Sequence, residues 1–525
     1  MTEKKQTTLS PASCNSSASD CFDVIVIGSG MGGLTSAALL AKAGKSVLVL
    51  EQHDRPGGYA HSFKRKRHIF DAGVHLTSGC GLEGYQGGQV IRRVLQACDM
   101  YGQVEFIQIN PFAYAEYPNV SADFPHSIVA FVEAMRDRFP DQTEGLQALL
   151  TLCLHISEQA AIADEVMSSK DSLLIQSKLP QLLKYRQATL AEVWGDFIQN
   201  PQLQSIFASN WPYLGLPPSK LSFVYWATML IGYLVDGAYY CKGGFQKLAE
   251  TLVDGLIKQG GMIRYRCGVE KIAVINNQVQ GVLLASGEMI KARVVISNAD
   301  VHQTVKQMIG EDYFPKRYLA RLNNLQESIS VFVVYIATDL DLVACGAHHE
   351  AFYYANLDHE ANYQDAINGE ISWLSVTVPT LVDSSLAPAG HHIVMLTTLA
   401  AYASERDWSQ AKPKIIEAIL ALANQKLPGL KDHILVLEAG SPATMQRYTG
   451  NYKGAAYGWA NTPEQSGAYR LSQRSPIDGL YFAGHWTAPG GGVYGASFSG
   501  MQVAQQILGV TGQQQFWQLF PSVTE

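Results

Sequence analysis

Apolar runs and polar turns alternate over the first fifty residues in the order of a strand–helix–strand unit. Residues 22–27 (FDVIVI) have the length and composition of a strand buried in a parallel sheet. After a glycine-rich turn, the Ala- and Leu-rich residues 34–43 predict a helix that Gly44 ends. Residues 46–50 (SVLVL) predict a second buried strand that ends at Glu51. We therefore expect a βαβ unit at the start of the ordered chain.

Beyond residue 110 the pattern first becomes helical and then returns to strands. Apolar residues with helical spacing predict helices over residues 111–236. The remaining predicted elements are a helix over 245–258 after Gly243 and Gly244, short strands over 262–298 with a turn at Asn276 and Asn277, strand-rich segments over 328–338 and 375–399, a strand over 480–483 and a final helix to about residue 508.

This order predicts an α/β protein in which a Rossmann-type domain is built from separated segments and an α+β domain is inserted between them. The predicted nucleotide domain comprises residues 22–110, 237–312 and 456–512, and the inserted substrate domain comprises residues 111–236 and 313–455. A flexible tail is predicted over residues 1–21 and a C-terminal tail over residues 513–525.

The turn after the first strand matches the dinucleotide-binding pattern G-x-G-x-x-G. Gly28 permits the tight turn, Gly30 lets the backbone approach a pyrophosphate, and Gly33 lets the helix pack on the strand. Glu51 stands about 20 residues further on, where an acid bonds the ribose hydroxyls and repels a 2′-phosphate. The alternative is a purely structural turn, but the strand–turn–helix setting favours binding of FAD or NAD over NADP.

A second glycine pair and a second glycine-rich loop extend this pattern. Gly57 and Gly58 follow the ribose acid and allow another close approach to the cofactor; the alternative is a plain Pro-Gly turn. Residues 489–495 (PGGGVYG) lie between a predicted strand and helix, with no further strand or acid behind them. We interpret this loop as a helix N-terminus directed at a ring that gains negative charge, such as the N1–C2 edge of a reduced flavin, or else as tight helix packing.

Two histidines are candidate active-site residues. His75 lies in the stretch FDAGVH, and His485 follows the predicted strand 480–483. Either side chain could face a flavin, and for each the alternative is a structural histidine whose polar atoms are satisfied locally. His485 would add a positive charge if protonated, or shape the substrate entrance if neutral. Neither HExxH nor Cys/His spacing occurs, so we expect no metal site.

Composition narrows the classes of function. The 525 residues include 39 Lys+Arg and 46 Asp+Glu, a net charge of −7, which argues against nucleic-acid binding driven by charge. Charged residues make up 16% of the chain, against roughly 25% in ordinary soluble domains. The surface is therefore expected to be either unusually neutral or partly turned toward something apolar. Eight scattered cysteines without a CxxC pair predict thiols in a reducing compartment.

Several of these pieces occur together in one known superfamily. The chain resembles FAD-dependent phytoene desaturases, carotenoid cis–trans isomerases and retinol saturases. The resemblance is carried, in order, by residues 24–51, Gly57 and Gly58, and residues 70–75, 239–244, 296–300, 379–388 and 480–500. Two departures are Tyr59, where related flavin amine oxidases have Arg, and His485, where many relatives have an acid or a small residue.

The resemblance implies a two-domain flavoprotein with an extended FAD and an apolar tunnel entered from a membrane surface. The cofactor residues implied by position are Gly28, Gly30, Gly33, Glu51, Gly57 and Gly58 at the adenine half, Val269 at the adenine through its backbone, and Gly484, Gly492 and Val493 at the flavin end. The expected reaction is desaturation, saturation or cis–trans isomerisation of a long apolar polyene or similar lipid, by hydride exchange with FAD. The alternatives are an amine-oxidase-like enzyme with a soluble substrate and a non-catalytic prenyl-binding escort protein.

The expected location is the cytoplasm or an organellar stroma, with peripheral membrane contact. Residues 1–20 lack the apolar core of a secretory signal. The longest apolar run, residues 221–235, is shorter than the ~20 residues of a spanning helix. Together with Trp211 and Tyr213, this run predicts an interfacial segment over residues 211–235, and the alternative is a buried core helix.

Overall fold

A computed structural model describes residues 21–81, 89–403 and 406–521, and two seven-stranded sheets dominate the part of the chain that it covers. The strands are β1 Cys21–Ile27, β2 Val47–Leu50, β3 Ser62–Arg65, β4 His68–Asp71, β5 Phe106–Ile109, β6 Ala113–Tyr117, β7 Val120–Phe124, β8 Ala238–Cys241, β9 Met262–Arg264, β10 Val269–Ile275, β11 Gln278–Leu284, β12 Met289–Ser297, β13 Ser330–Thr338, β14 Glu350–Tyr354, β15 Trp373–Thr377, β16 His392–Ala400, β17 Ile434–Gly440 and β18 Leu480–Phe482.

Helices pack around both sheets. The α-helices are α1 Met31–Lys42, α2 Val90–Ala97, α3 Ile128–Arg136, α4 Thr143–Ser168, α5 Ser172–Lys178, α6 Pro180–Tyr185, α7 Leu190–Trp194, α8 Pro201–Ala208, α9 Phe223–Ile231, α10 Gln246–Lys258, α11 Lys316–Asn324, α12 His359–Asn368, α13 Trp408–Lys426, α14 Pro442–Thr449, α15 Gly492–Ile507 and α16 Gln513–Gln518.

The first sheet contains the predicted βαβ unit. Its strand order is β10-β11-β12-β1-β2-β9, and β18 also pairs with β12. Strand β1 lies parallel to both β12 and β2, and all four residues of β2 are buried, as expected for a parallel strand covered on both faces. Its strands come from three distant stretches of sequence, so the α/β, Rossmann-type fold built from separated segments is confirmed. The predicted domain boundaries remain a prediction.

The second sheet has the order β17-β13-β16-β15-β14-β6-β7 and is antiparallel except between β14 and β6. The β6–β7 edge of this sheet contradicts one prediction from the sequence. Residues 111–236 were predicted as helical throughout, but β6 and β7 form a hairpin at Ala113–Tyr117 and Val120–Phe124 before the helices begin. Alternation of buried and half-buried residues in β6 is the period-2 signal that the helical interpretation overlooked.

The segment predicted to contact a membrane, residues 211–235, is part of the core. Trp211, Phe223 and Trp226 are fully buried, so this interfacial prediction is wrong and the alternative of a buried helix holds. One helical stretch, Pro140–Ser168, is long and apolar enough to cross a membrane by length and composition alone. Core helices meet the same criterion, and the first half of α4 is packed in the core.

The two predicted tails have different outcomes. The predicted N-terminal tail covers residues 1–21: residues 1–20 lie outside the described part of the chain, and Cys21 is the first residue of β1 rather than part of a tail. At the C-terminus, α16 forms at Gln513–Gln518 inside the stretch predicted as a tail, because Phe516 is fully buried against the core. An aromatic residue that anchors a short helix in this way stabilises it through packing rather than through helix propensity.

Candidate active site

Eleven of the twelve predicted site residues line one cavity of about 340 Å³. They are Gly28, Gly30, Glu51, Gly57, Gly58, His75, Val269, Gly484, His485, Gly492 and Val493. The exception is Gly33, which faces the strand: a Cβ atom there would stand 2.3 Å from the carbonyl oxygen of Gly28. The fold therefore gathers residues from four distant stretches of sequence around a single space.

The N-terminus of α1 lies at this cavity with its backbone exposed to an occupant. Its N-cap is Gly30, which offers no side chain to accept the first free N–H groups, and no acid occupies the first turn. A Cβ at Gly30 would stand 2.5 Å from Asn298 Nδ2, so only glycine fits. The N–H of Gly57 donates to the carbonyl of Ser29 at 2.8 Å, which brings the second glycine turn against the first. An uncapped helix N-terminus of this kind binds phosphate.

Glu51 is held at the same edge of the sheet. Its side chain is 8% exposed. One carboxylate oxygen accepts from the N–H and hydroxyl of Ser29 at 2.8 and 2.6 Å, and the other accepts from the N–H of His53 at 2.7 Å. Two carboxylate oxygens offer about four acceptor positions. At least one position remains for a ribose hydroxyl, and the negative charge there disfavours a 2′-phosphate.

A second helix N-terminus reaches the cavity at the far end of the sequence. Helix α15 begins at Gly492, and neither a capping side chain nor an acid stands in its first turn. Gly492 has φ +78°, and no atom lies within 4 Å of where its Cβ would be. A side chain at Gly492 would therefore be strained and would enter the cavity. The residues of both glycine-rich ends fit an extended dinucleotide: the N-terminus of α1 would hold its phosphates, and the N-terminus of α15 would stabilise negative charge on its ring.

His75 forms a buried ion pair that the sequence analysis did not anticipate. Its Nε2 lies 3.1 Å from Oε2 of Glu350, whose side chain is completely buried. The hydroxyls of Ser375 and Thr377 donate to the two oxygens of Glu350 at 2.8 and 2.7 Å. His75 lines the cavity, and Glu350 stands behind it.

Charge and burial act in opposite directions on this pair. Burial is the largest single effect and lowers the pKa of His75, but the charge and hydrogen bond of Glu350, together with Asp71 and the backbone of Gly73, raise the pKa above its ordinary value. Burial raises the pKa of Glu350, yet His75 and the two donated hydroxyls bring it below its ordinary value. Both shifts favour an imidazolium and a carboxylate over a neutral pair, which would place a transferable proton at the wall of the cavity.

The remaining wall is apolar and comes from the second sheet. Alternate residues of β13, β15 and β16 point into the cavity, as the two-residue period of a strand requires. The apolar side chains on this face, with one from β14, are Val331, Val333, Phe352, Trp373, Met395 and Leu399. Tyr213 and Tyr233 from the buried segment add aromatic rings. The same cavity thus joins a dinucleotide site to a long apolar wall.

Sequence comparison identifies the family. The profile described as "Flavin containing amine oxidoreductase" matches residues 31–508, which is most of the chain. The chain belongs to this flavin-containing amine oxidoreductase family. Its cofactor is FAD, and it is an FAD-dependent oxidoreductase or isomerase of the carotenoid and retinoid flavoenzyme superfamily, as the resemblance implied.

Two relatives cover nearly the whole chain. Prolycopene isomerase of Daucus carota is 28% identical over 94% of this chain and 81% of its own length. All-trans-retinol 13,14-reductase of Macaca fascicularis is 26% identical over 92% of this chain and 85% of its own length. An oxidoreductase from Methanosarcina mazei, at 19% identity, shares the fold with a TM-score of 0.62 over 92% of this chain and 99% of its own.

In this flavin-containing amine oxidoreductase, His485 is neutral. Burial, with the positive charge of Arg470, lowers the pKa of His485 to about 3. The ring contacts Trp486 edge-on, with centroids 5.3 Å apart. The guanidinium of Arg470 is itself buried and donates to the carbonyl of His485 at 2.8 Å. Of the two forms that the sequence left open for His485, the lowered pKa favours the neutral one.

Two site residues escaped the sequence analysis. Glu350 starts β14, where all five residues are buried, and an acid in such a strand was the available signal. Asn298 was noted within a family stretch but not as a site residue. Its Oδ1 accepts from the N–H of Gly33 at 3.0 Å, and its amide lies beside Gly30 and Gly484, where it holds two cofactor turns together.

Proposed function

We propose that this flavoenzyme acts on C–C bonds of a long conjugated substrate of the carotenoid or retinoid class. The observation that most supports this proposal is that the glycine-rich residues and the apolar wall of the second sheet line the same cavity. FAD supplies hydride transfer to or from carbon when bound. The reaction is a desaturation, a saturation or a cis–trans isomerisation, and the chain provides an apolar space that positions the polyene and excludes water.

The relatives support this substrate class. One acts on prolycopene and another on all-trans-retinol at its 13,14 bond, according to their names. Both align over more than nine-tenths of this chain, so the aligned region includes the strands that form the apolar wall. The two relatives are named for different reactions but both for polyene substrates, which favours a polyene here as well.

His75 has a defined part in this proposal. Saturation of a C–C double bond adds one hydride and one proton, desaturation removes both, and isomerisation leaves the balance unchanged. Because Glu350 raises the pKa of His75, the imidazolium can give a proton to a substrate carbon in saturation, whereas in desaturation the neutral ring would take that proton up. Glu350 acts through His75, and the hydroxyls of Ser375 and Thr377 keep its carboxylate ionised and oriented.

The two alternatives have less support. An amine substrate would bring a cation, yet Glu51 is the one acid among the described residues that line the cavity, and it stands with Ser29 at the cofactor end. Glu350 is already neutralised by His75. A non-catalytic escort protein would not need the glycine turns or the uncapped helix ends that this cavity retains.

We also propose a reducing compartment, either cytoplasm or organellar stroma. The described part of the chain contains no disulfide, and Cys80, Cys98, Cys153 and Cys241 are buried thiols. Burial raises the pKa of Cys98 to about 12, which keeps that thiol protonated and unreactive.

Extraction of the purified protein tests the substrate class. The FAD-loaded enzyme is expressed in cells that make carotenoids, and the lipids that co-purify are identified by mass spectrometry. We expect a conjugated polyene in near-stoichiometric amount, displaced by added retinol or lycopene isomers. Protein that carries only phospholipid, and that shows no quenching of tryptophan fluorescence on addition of any polyene, would contradict the proposal.

A further inference from the structure

Arg470 is the one lysine or arginine side chain that is buried in the part of the chain that the structure describes. Its exposed fraction is 1%. Every other described lysine and arginine reaches solvent at least in part. Burial of a cation is costly unless a negative charge accompanies it, so this position requires a specific explanation.

The protein provides no carboxylate to balance this charge. Among the described residues no acid forms an ion pair with Arg470. Its Nη atoms donate instead to neutral oxygens, which are Oδ1 of Asn461 at 3.0 Å and the carbonyls of Tyr457, Trp459 and His485 at 3.0, 3.3 and 2.8 Å. Its Nε is buried and has no hydrogen-bond partner among the described residues. These bonds solvate the guanidinium but leave its charge unneutralised.

The unbalanced charge lies directly behind the wall of the cofactor cavity. Tyr457 and His485, two of the residues whose carbonyls accept from Arg470, line this cavity. The backbone of Tyr457 also packs against the glycine loop before α15, because a Cβ at Gly491 would stand 3.4 Å from the Tyr457 carbonyl oxygen. Arg470 therefore stands behind the same end of the cavity as the N-terminus of α15.

Tyr225 places Arg470 near this loop by a second route. A Cβ at Gly490 would overlap the hydroxyl oxygen of Tyr225, so the phenol touches the loop. Burial raises the pKa of Tyr225, and the charge of Arg470 partly opposes this rise. Burial lowers the pKa of Arg470 and Tyr225 raises it, but a guanidinium keeps its proton in either case.

The flavin end of the cavity has no other unbalanced cation among the described residues. Neither lysine nor arginine occurs among the described side chains that line the cavity. Burial favours a neutral His485, and Glu350 balances the charge of His75. A negative charge on a bound molecule would therefore be the natural partner of Arg470.

Hydride transfer produces such a charge. A hydride comprises two electrons and one proton, so its addition to N5 of oxidised FAD leaves one negative charge on the N1–C2 edge unless solvent supplies another proton. Fixed positive groups stabilise a charge that develops beside them, and they do so most strongly where water is excluded.

We propose that Arg470 maintains a positive potential at the flavin ring and thereby stabilises the reduced, anionic cofactor relative to the oxidised one. The dipole of α15 acts in the same direction but falls off within about one turn, whereas a buried full charge acts over a longer range. A raised reduction potential favours uptake of hydride from the substrate over its donation. This last consequence rests on the proposed function, whereas the potential itself does not.

Redox titration of the FAD-loaded enzyme tests the role of the charge. We expect Arg470→Gln to favour the oxidised flavin at least tenfold more than the unmodified enzyme does, which lowers the midpoint potential of a two-electron couple by about 30 mV. Arg470→Lys retains the charge but not the planar set of donors. It should therefore keep a potential close to that of the unmodified enzyme.

The matched control is Arg321→Gln. The exposed guanidinium of Arg321 donates to the carbonyls of Tyr469 and Arg470, both at 2.9 Å. This variant removes a cation and two carbonyl contacts from the same segment, but solvent and salt screen the charge that is lost. Its potential should match that of the unmodified enzyme.

Two results would overturn the proposal. Equal potentials in Arg470→Gln, Arg470→Lys and the unmodified enzyme would show that the charge does not reach the flavin. Equal shifts in the two variants would show that the hydrogen bonds of Arg470, and not its charge, affect the cofactor. A loss of FAD affinity that is the same for oxidised and reduced cofactor belongs to the first case, because Arg470 would then balance the phosphates.

The unmodified enzyme permits a measurement that does not depend on the folding of any variant. Enzyme reconstituted with nitrogen-15 FAD is reduced by dithionite without oxygen, and the NMR shift of N1 reports whether that atom carries a proton. We expect N1 to remain unprotonated at mildly acidic pH, where reduced flavin in water is largely protonated. An N1 that takes up its proton as it does in water would contradict the proposal.

Failure of this inference can be distinguished from failure of the proposed function. Both measurements use a chemical reductant and no polyene. An enzyme with the expected potentials that converts no polyene contradicts the proposed function alone. An enzyme that converts a polyene, but whose potential is independent of the charge at Arg470, contradicts this inference alone.

Discussion

His75 Nε2 lies 3.1 Å from Oε2 of Glu350, so that one ion pair joins the loop after β4 to strand β14 of the second sheet. Glu350 has no exposed surface and His75 retains 15% of its own, which makes the histidine the member that faces the cavity. An ion pair buried in this way is seldom a gain in stability over apolar packing. Its position beside a cofactor site favours a role in proton transfer.

Replacing Glu350 by Gln should move the pH dependence of turnover. Glu350 raises the pKa of His75 in the folded protein, so the protonated form that donates in saturation persists above the ordinary histidine value of about 6.5. Without the carboxylate, burial dominates and the pKa of His75 falls. We expect the alkaline limb of the kcat profile to shift to lower pH, and kcat at neutral pH to fall about 10²-fold or more.

The control for this variant is Glu438→Gln, which removes a carboxylate from an exposed ion pair with Arg65. It should leave the pH profile unchanged, because exposed pairs contribute about 0–1 kcal/mol. An alkaline limb that stays in place in Glu350→Gln would show that His75 does not carry the reacting proton.

His485→Ala should leave FAD bound and lower turnover. The lost ring borders the cavity and packs against Trp486, so the substrate entrance loses its shape while the glycine turns are untouched.

The folded pKa of His485 is about 3, below that of the unfolded chain, so acidification favours unfolding of the native protein from about pH 6.5 downward.

Melting temperatures measured between neutral and acidic pH test whether His485 lowers the stability of the folded protein on acidification. The variant should lose less stability on acidification than the unmodified enzyme. Burial also lowers the pKa values of His302 and His359 to about 4. These two histidines make the stability of both the variant and the unmodified enzyme fall somewhat on acidification. A variant with unchanged turnover would mean that His485 is only a packing residue.

Gly30→Ala should yield colourless protein. The added methyl would stand 2.5 Å from Asn298 Nδ2, and either the α1 turn or Asn298 must then move away from the phosphate position. Gly195→Ala is the matched control, because its new Cβ would meet only the carbonyl of Ala191 at 3.8 Å. The flavin content per chain, measured by absorbance, distinguishes the two variants. Full occupancy in Gly30→Ala would contradict the cofactor assignment.

The sequence predicted those features that depend on local patterns of neighbouring residues. The βαβ unit, the glycine turns and Glu51 are local patterns, and all lie where the pattern placed them relative to the strands. The segment 211–235 was assigned to a membrane surface because composition alone does not distinguish an interfacial helix from a buried one. Packing against the rest of the chain decides between them, and Trp211 and Trp226 are fully buried.

The ion pair could not be predicted from the sequence. Glu350 and His75 are separated by more than half of the chain, and their contact requires β14 to take its place in the second sheet. The apolar wall could not be predicted from the sequence either. Alternation along a strand predicts that one face of the sheet is buried, but it does not predict that this face borders the cofactor site. Both features are tertiary, and each depends on how the sheets are arranged.

Gly492→Ala should disturb the flavin itself. Its Cβ would enter the cavity at the N-terminus of α15, whose dipole stabilises a reduced, anionic ring by roughly 0.3–2 kcal/mol. For a two-electron couple this corresponds to a change in midpoint potential of at most about 40 mV. We expect a shift within that range or a loss of flavin.

Gly509→Ala is the control, since Gly509 has φ +69°, similar open space, and no place in the cavity. This variant has the same backbone strain at a positive φ, but its added Cβ does not enter the cavity. Wild-type potential and occupancy in both variants would show that the loop before α15 is a packing turn.

Product analysis of a polyene incubated with the oxidised or the reduced enzyme tests the central claim most directly. Lycopene cis isomers, phytoene and all-trans-retinol are supplied in vesicles under anaerobic conditions, and the products are resolved by chromatography. The account predicts that at least one is isomerised, saturated or desaturated in one redox state of the flavin only, and that His75→Gln with full FAD occupancy is slower by about 10²-fold or more. Unchanged polyenes in both redox states, together with oxidation of a soluble amine and release of peroxide, would contradict it.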